Sequence, residues 1–158
     1  MSLNYLPGLK YCQDCELHKI GSFVVPGRGP VPATIMVIGE APGAEEDHQL
    51  RPFVGPAGKR LMNLLAMSGV KEEEVYFTNS VKHWPGPGNP TPKSKHLKAC
   101  KHWLEQEIAQ VNPKIIILLG KTATENLLGE SANLQRNHGL GLIRTVVGRE
   151  RLVYIMYH

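Results

Sequence analysis

The sequence predicts an α/β fold, namely a three-layer α/β/α sandwich around a central, mostly parallel sheet of four strands. Short apolar segments alternate with segments in which apolar residues recur at helical spacing, an order typical of βαβ units. Gly and Pro residues bound most of these segments and mark their ends. With 158 residues, 42% of them hydrophobic, the chain is long enough to bury a sizeable core as one domain.

The predicted strands are short, apolar and rich in β-branched residues, as strands buried on both faces of a parallel sheet are. They cover residues 33–39, 74–79, 114–119 and 151–156, and residues 140–147 form a further candidate strand. Helical spacing marks residues 57–68, 93–111 and 122–128, which right-handed crossovers would place on both faces of the sheet.

Charge and hydropathy limit the classes of partner. Lys and Arg number 18 against 14 Asp and Glu, and the net charge of +4 permits a polyanionic partner without proving one. No apolar run reaches the roughly 18 residues of a membrane span, and the start MSLNYLPGLKYC lacks the apolar segment of a secretory signal. We therefore expect a cytoplasmic protein without a membrane partner, and we expect a monomer.

The cysteines indicate a metal site rather than disulfides. Three cysteines cannot all pair with one another, and no export signal accompanies them. Cys12 and Cys15 form a C-x2-C pair, whereas Cys100 stands far from both. A four-coordinate site would need one more ligand, for which a histidine is the best candidate.

Chemically active side chains follow the strands of the predicted sheet. Glu40 comes directly after the first strand, Asn79 ends the second, and His158 follows the last. Ligands of parallel sheets bind beyond the carboxyl ends of the strands. An acid, an amide and an imidazole are therefore expected to converge at one edge of the sheet.

Glu40 opens the loop GEAPGAEED, which holds four carboxylates within eight residues. The Gly and Pro residues of this loop predict a tight turn with its backbone close to a ligand. Glu40 is the acid best placed to position a water molecule. The alternative is a solvated acidic loop, or a set of caps for the next helix.

Three side chains are candidates for binding a planar base. Phe53 lies in the segment RPFVGPAG, where its ring can stack on a base or simply plug into the core. The amide of Asn79 has a donor and an acceptor that can read a pyrimidine edge, or it is a strand-end turn residue. His158 can donate to a developing oxyanion, or it is a frayed end.

Lysines are concentrated in residues 82–101. They are Lys82, Lys93, Lys95, Lys98 and Lys101. Such a group can neutralise DNA phosphates or can form the exposed face of a helix, and the sequence leaves both readings open.

Several motifs in one order resemble the family 4 uracil-DNA glycosylases, which carry an iron–sulfur cluster. The motifs are GEAPGAEED, RPFVGPAGKRL, YFTNSVK, GNPTP, ACKHWLE and KIIILLG. The resemblance runs from Cys12 to His158. It implies an enzyme that hydrolyses the N-glycosidic bond of deoxyuridine in DNA and releases uracil in base excision repair. The alternative is a non-catalytic or impaired DNA-binding iron–sulfur module of the same fold.

The resemblance implies a role for each matched residue. Glu40 would position water, His158 would stabilise the leaving uracil at its O2 oxygen, and Glu46 is a second acidic position. The uracil pocket would be formed by backbone and side chains of Ala41, Pro42, Gly43, Phe53 and Asn79. We expect DNA contacts from Lys82, Asn89 and Lys93, and His138 is a looser candidate for such a contact.

The family's cluster ligands match Cys12, Cys15 and Cys100, and the position of its third cysteine holds His83. Sixteen residues separate His83 from Cys100, so the family's spacing survives the exchange. Because histidine ligates iron in Rieske centres, we expect a [4Fe-4S] cluster with three Cys ligands and one His. Tetrahedral zinc is the alternative. The cluster would pin an N-terminal arm, residues 1–30, to the DNA-facing loop and helix.

Two departures from the family pattern modify the expectation. The segment VKH resembles a mycobacterial-type subgroup that traps uracil-DNA covalently through a histidine. Here the insertion that carries this histidine is missing and Asn89 stands at the matching place, so we predict turnover rather than trapping. Family members also continue past the position of His158 with a loop and a helix. Their apparent absence from this single domain, residues 1–158, predicts weaker base extrusion.

Overall fold

The computed structural model describes residues 3–129 and 134–157, whose strands form one sheet. The strands are β1 (Leu3–Asn4), β2 (Gly27–Arg28), β3 (Ile35–Gly39), β4 (Val75–Asn79), β5 (Ile115–Leu119), β6 (Gly141–Val146) and β7 (Arg149–Met156). The α-helices are α1 (Ala44–Gln49), α2 (Pro56–Met67), α3 (Ser94–Val111), α4 (Gly120–Leu128) and α5 (Leu134–Asn137). Short 3-10 turns cover Leu9–Tyr11, Glu16–Lys19 and Glu72–Glu74.

The sheet has seven strands in the order β1-β2-β4-β3-β5-β7-β6, so the prediction of four strands is wrong in number. The four predicted strands are its parallel centre, in which β4, β3, β5 and β7 are neighbours. The additional strands are antiparallel and lie at the two edges. Two of them, β1 and β2, are only two residues long, too short to show any hydrophobic period.

The candidate strand at residues 140–147 is present as β6, and it forms a hairpin with β7. Strands β6 and β7 pair in antiparallel register, with Val146 opposite Arg149. The two residues between them, Val147 and Gly148, have φ of 48° and 73°. Positive φ at both central positions is the geometry of a type I′ turn, which fits the twist of the flanking strands.

Alternate residues of β3 point into different parts of the core, as the two-residue period of a strand requires. Met36 and Ile38 belong to a cluster with Leu104 and Ile108 of α3. Between them, Val37 belongs to a second cluster, to which α2 contributes Leu65. This alternation explains why the strand is apolar without interruption, because neither of its sides meets solvent.

The N-terminal segment joins the sheet and also packs against α3. Leu6, Leu9 and Leu17 are buried in a third cluster with Val81 and Trp103. Ser22 donates hydrogen bonds from its backbone N–H and its hydroxyl to Asp47 of α1, at 2.8 and 2.9 Å. Within the described part of the chain, no helix is both long and apolar enough to cross a membrane.

Candidate active site

The carboxyl ends of β3 and β4 open into a cavity of about 210 Å³. These strands are parallel neighbours with Gly39 opposite Asn79, so the loops that follow them leave the sheet side by side. Most of the site residues that the sequence predicted line this cavity, namely Glu40, Ala41, Pro42, Gly43, Glu46, Phe53, Asn79 and Asn89. The predicted convergence of an acid and an amide at one sheet edge is therefore present.

Gly39 allows Phe53 and Asn79 to approach each other. A Cβ atom on Gly39 would lie 2.6 Å from Asn79 Oδ1 and 2.9 Å from Phe53 Cζ. Any side chain at this position would therefore collide with both. The result is a flat ring and a hydrogen-bonding amide facing one small cavity, which suits a planar ligand with polar edges.

Arg28 holds the backbone of Phe53, a role that the sequence analysis missed. Its buried guanidinium donates to the carbonyl oxygens of Pro52 (2.8 Å) and Phe53 (3.3 Å). It also lies over the ring of Phe77 and pairs with Glu72 at 3.1 Å. Phe53 has a φ of 58°, which non-glycine residues adopt only when their surroundings require it. An arginine in the segment GRGP carries no periodic signal that could have predicted this contact.

Glu46 joins the two loops that flank the cavity. Its Oε1 accepts a hydrogen bond from the N–H of Gly43 (3.0 Å), and its Oε2 accepts from those of Val54 (3.0 Å) and Gly55. Both carboxylate oxygens are thus engaged by backbone donors. This arrangement matches the helix-capping alternative, since Glu46 lies in the first turn of α1.

Glu40, in contrast, has a carboxylate without a hydrogen-bond donor among residues 3–129 and 134–157. The residue is half-buried at the cavity wall, and no other described side chain or backbone group donates to its carboxylate. Its backbone is fixed, because its carbonyl accepts from Val81 N–H at 3.2 Å. A carboxylate held in this way can hold a water molecule without losing another partner.

The prediction that Lys82 contacts DNA is wrong, because its side chain is fully buried. It forms an ion pair with Glu107, and neither side chain is exposed (0% each). Lys93 is exposed just before α3 and remains accessible to DNA. Asn89 is also exposed and has a φ of 49°, and its Oδ1 accepts from Trp84 Nε1 at 2.7 Å.

The three cysteines come together between the N-terminal segment and α3. Cys100 is buried in the cluster with Trp103, and Cys12 and Cys15 pack against it. All three are free thiols. Burial raises the pKa of each, to about 12 for Cys100, where the nearby Cys12 and Cys15 contribute to the rise. Trp103 Nε1 lies 3.2 Å from Cys12 Sγ and can donate to it.

His83, the predicted fourth ligand, is buried beside other polar groups. Burial lowers its pKa, as does the neighbouring His18, whereas Asp47 opposes the shift. Among residues 3–129 and 134–157, no three His, Cys, Asp or Glu side chains are arranged to hold a metal ion. The donor types suit an iron–sulfur cluster or zinc, and the thiols are gathered, but the four side chains do not form a ready-made shell.

His158, the predicted imidazole of the site, lies outside the described residues. Its predecessor Tyr157 donates from its backbone N–H to His138 Nδ1 at 3.0 Å, and the two rings lie 4.3 Å apart. His138 is therefore placed at the carboxyl end of β7, where it also forms an isolated β-bridge with Ile155.

Comparison with known proteins identifies the family of this chain. A sequence profile described as the uracil DNA glycosylase superfamily matches residues 26–158. The type-4 uracil-DNA glycosylase of Saccharolobus solfataricus is 38% identical over 157 residues, which are 95% of this chain and 71% of that protein. The Pyrobaculum aerophilum enzyme of the same name is 42% identical over 120 residues, 76% of this chain and 61% of the relative. The Thermotoga maritima enzyme of the same name is 45% identical over 115 residues, which are 73% of this chain and 59% of the relative.

The chain belongs to the uracil DNA glycosylase superfamily and, within it, to the type-4 uracil-DNA glycosylases. The resemblance seen in the sequence motifs is confirmed. The chain spans about three fifths of the length of the Pyrobaculum and Thermotoga relatives (61% and 59%).

Proposed function

We propose that this chain is a uracil-DNA glycosylase that hydrolyses the N-glycosidic bond of deoxyuridine in DNA and releases uracil for base excision repair. One observation carries the proposal: Glu40, Phe53 and Asn79 line the same cavity at the carboxyl ends of β3 and β4. The relatives named type-4 uracil-DNA glycosylases support it.

Recognition would begin with extrusion of the deoxyuridine from the base stack, because a base that is stacked within a duplex cannot enter the cavity. The ring of Phe53 would stack on the extruded uracil, and the Asn79 amide would hydrogen-bond its edge. The backbone of Ala41, Pro42 and Gly43 would form the adjoining wall. On the surface, Asn89 and Lys93 would contact the DNA.

Cleavage would proceed by departure of the uracil anion from a sugar that develops positive charge. His158 would donate to the uracil O2 oxygen and stabilise its negative charge. Glu40 would hold a water molecule toward the anomeric carbon and accept its proton as the new C–O bond forms. The Asn89 position carries no nucleophile, so we infer turnover rather than covalent trapping.

We propose in addition a [4Fe-4S] cluster held by Cys12, Cys15, Cys100 and His83, with zinc as the alternative. The gathering of three free thiols and the neutral state that burial favours for His83 support this set. When bound, such a group supplies a structural cross-link between distant segments rather than chemistry. We also propose one three-layer domain, which the different clusters on the two sides of β3 support. A monomer is part of the same proposal.

The proposal is tested by uracil release from single-stranded and double-stranded oligonucleotides that contain one deoxyuridine. We expect release by the wild-type chain and a strongly reduced, still measurable rate in Asn79→Ala, with DNA binding retained. Binding of DNA without release by the wild type would instead favour the non-catalytic module.

A further inference from the structure

Lys82 lies directly behind the Asn79 end of β4, and its ammonium group has three partners. Nζ donates to Thr78 Oγ1 at 2.7 Å, to the Asn79 carbonyl at 2.6 Å and to Glu107 Oε1. An ammonium has three N–H groups, so every donor is used. The residue lies three positions after Asn79 and turns back onto its carbonyl.

Glu107 completes this network from α3. Its Oε1 accepts from Lys82 and from Thr78 Oγ1 (2.9 Å), and its Oε2 accepts from the Tyr76 hydroxyl. Asn4 of β1 in turn donates to the Tyr76 hydroxyl at 3.0 Å. Every member therefore has partners, which is the condition under which a buried polar network fixes one arrangement of its side chains.

Stability alone does not account for this ion pair. Both charges are fully buried, and the cost of removing two charges from water offsets most of their mutual attraction. Replacing a buried ion pair by apolar side chains of similar size is often neutral or stabilising in proteins. What the pair provides is geometry, because one of its hydrogen bonds ends on the backbone of a residue that lines the cavity.

The backbone of Asn79 is held on its other side as well. Ser80 donates from both its N–H and its hydroxyl to the Gly39 carbonyl, each at 2.8 Å. Together with the clamp of Lys82 on the Asn79 carbonyl, these bonds hold the peptide group after Asn79 at both ends. The direction in which the Asn79 side chain leaves the strand is therefore set before any ligand arrives.

We propose that Lys82 is a positioning residue that orients the Asn79 amide for reading the uracil edge, with Glu107 holding its charge in place. The inference rests on the proposed function, since it assigns a task within the same site. It also gives a physical reason for a buried lysine beside a DNA-binding cavity.

The test is a double-mutant cycle on single-turnover uracil release, using Lys82→Met, Asn79→Ala and the double variant. We expect Lys82→Met to slow release on the order of 100-fold, as displaced catalytic groups do, with the Kd for DNA nearly unchanged. In the Asn79→Ala background the same change should have no further effect. An equal loss in both backgrounds, or no loss in Lys82→Met, would overturn the proposal.

A second variant keeps the test decisive if Lys82→Met fails to fold because Glu107 is left as an unpaired buried charge. The pair Lys82→Met with Glu107→Met removes both charges and is expected to fold. The cycle against Asn79→Ala is then run with this pair. Slower release by the pair that disappears in the Asn79→Ala background supports the proposal, and an equal loss in both backgrounds or no loss overturns it.

A readout without DNA separates this inference from the proposed function. The carbonyl ¹³C and side-chain NH₂ signals of Asn79 should shift in the Lys82 variant, because the carbonyl loses a charged donor. Unchanged Asn79 signals overturn the inference even if the wild type releases uracil. A wild type that releases no uracil overturns the proposed function instead.

Discussion

The ring of Phe53 and the amide of Asn79 approach the same face of Gly39, each within 3 Å of the place where a Cβ atom would stand. Phe53 lies in the loop between α1 and α2 and Asn79 ends β4, 26 positions further along the sequence. The absence of a side chain on Gly39 therefore leaves the space that the ring and the amide occupy at the cavity wall.

The first prediction concerns this space. In Gly39→Ala the added methyl group would lie 2.6 Å from Asn79 Oδ1, so the amide must move and the cavity shrinks. We expect single-turnover uracil release to fall on the order of 100-fold. Gly69→Ala is the matched control, because Gly69 has a φ of 79° and open space around it. That variant should lower the melting temperature and leave release unchanged.

A second prediction concerns Arg28, which supports Phe53 from behind. In Arg28→Met the carbonyls of Pro52 and Phe53 lose their donor, so the ring is held less firmly and release should slow by roughly tenfold. Arg151→Met is the control, because Arg151 is an equally buried arginine that donates to the carbonyls of Val146 and Pro113. Both variants should melt at lower temperature.

Release that slows equally in the two arginine variants would mean that Arg28 acts only on stability. We expect the two variants to differ in uracil release because Arg28 contacts the cavity wall, whereas Arg151 lies near the amino end of β7.

The parallel centre of the sheet could be predicted from the sequence because each of its strands is an apolar run bounded by turn residues. Glu40 and Asn79 could be placed at the site because Glu40 directly follows one predicted strand and Asn79 ends the next, and these strands are neighbours in the sheet. Lys82 was misjudged because its partner, Glu107, lies 25 residues away on α3. No local pattern reveals such a pair, and the contact of Arg28 with Phe53 was missed for the same reason.

A third prediction separates the two acidic residues. Glu40→Gln should slow uracil release on the order of 100-fold with little change in the free energy of unfolding, because its carboxylate has no described protein donor. Glu46→Gln should destabilise the fold by about 1–3 kcal/mol, because an amide can accept on one side only while Glu46 accepts on both. Denaturant titration and single-turnover kinetics measure the two effects. Equal destabilisation by both substitutions would contradict the assignment.

A fourth prediction concerns the cluster ligands. Protein purified without oxygen should carry iron and sulfide, and His83→Ala and Cys100→Ser should lose them, whereas His83→Cys should keep them. His48→Ala, an exposed histidine in α1, is the control. Elemental analysis and visible absorbance before and after chelation measure the content. One zinc per chain without iron would establish the zinc alternative.

The same experiment examines His18, whose Nδ1 lies 2.6 Å from the Cys15 carbonyl and which contributes to the lowered pKa of His83. We expect His18→Ala to retain its iron. Loss of iron in this variant, together with retention of iron in His83→Ala, would show that His18 and not His83 is the fourth cluster ligand.

The last prediction concerns which lysines of this protein contact DNA, and it follows from the burial of Lys82. A lysine that neutralises one phosphate contributes about 0.7 to the slope of log K against log salt for single-stranded DNA. Lys93→Ala should reduce the slope by about this amount, because Lys93 is exposed beside the loop that borders the cavity. Lys114→Ala is the control, since Lys114 is exposed just before β5, at the opposite end of the parallel strands. Lys82→Met should leave the slope unchanged, because its charge is already neutralised by Glu107. A reduced slope in the Lys82 variant would show that this ion pair opens when DNA binds, and the positioning role would then lose its geometric basis.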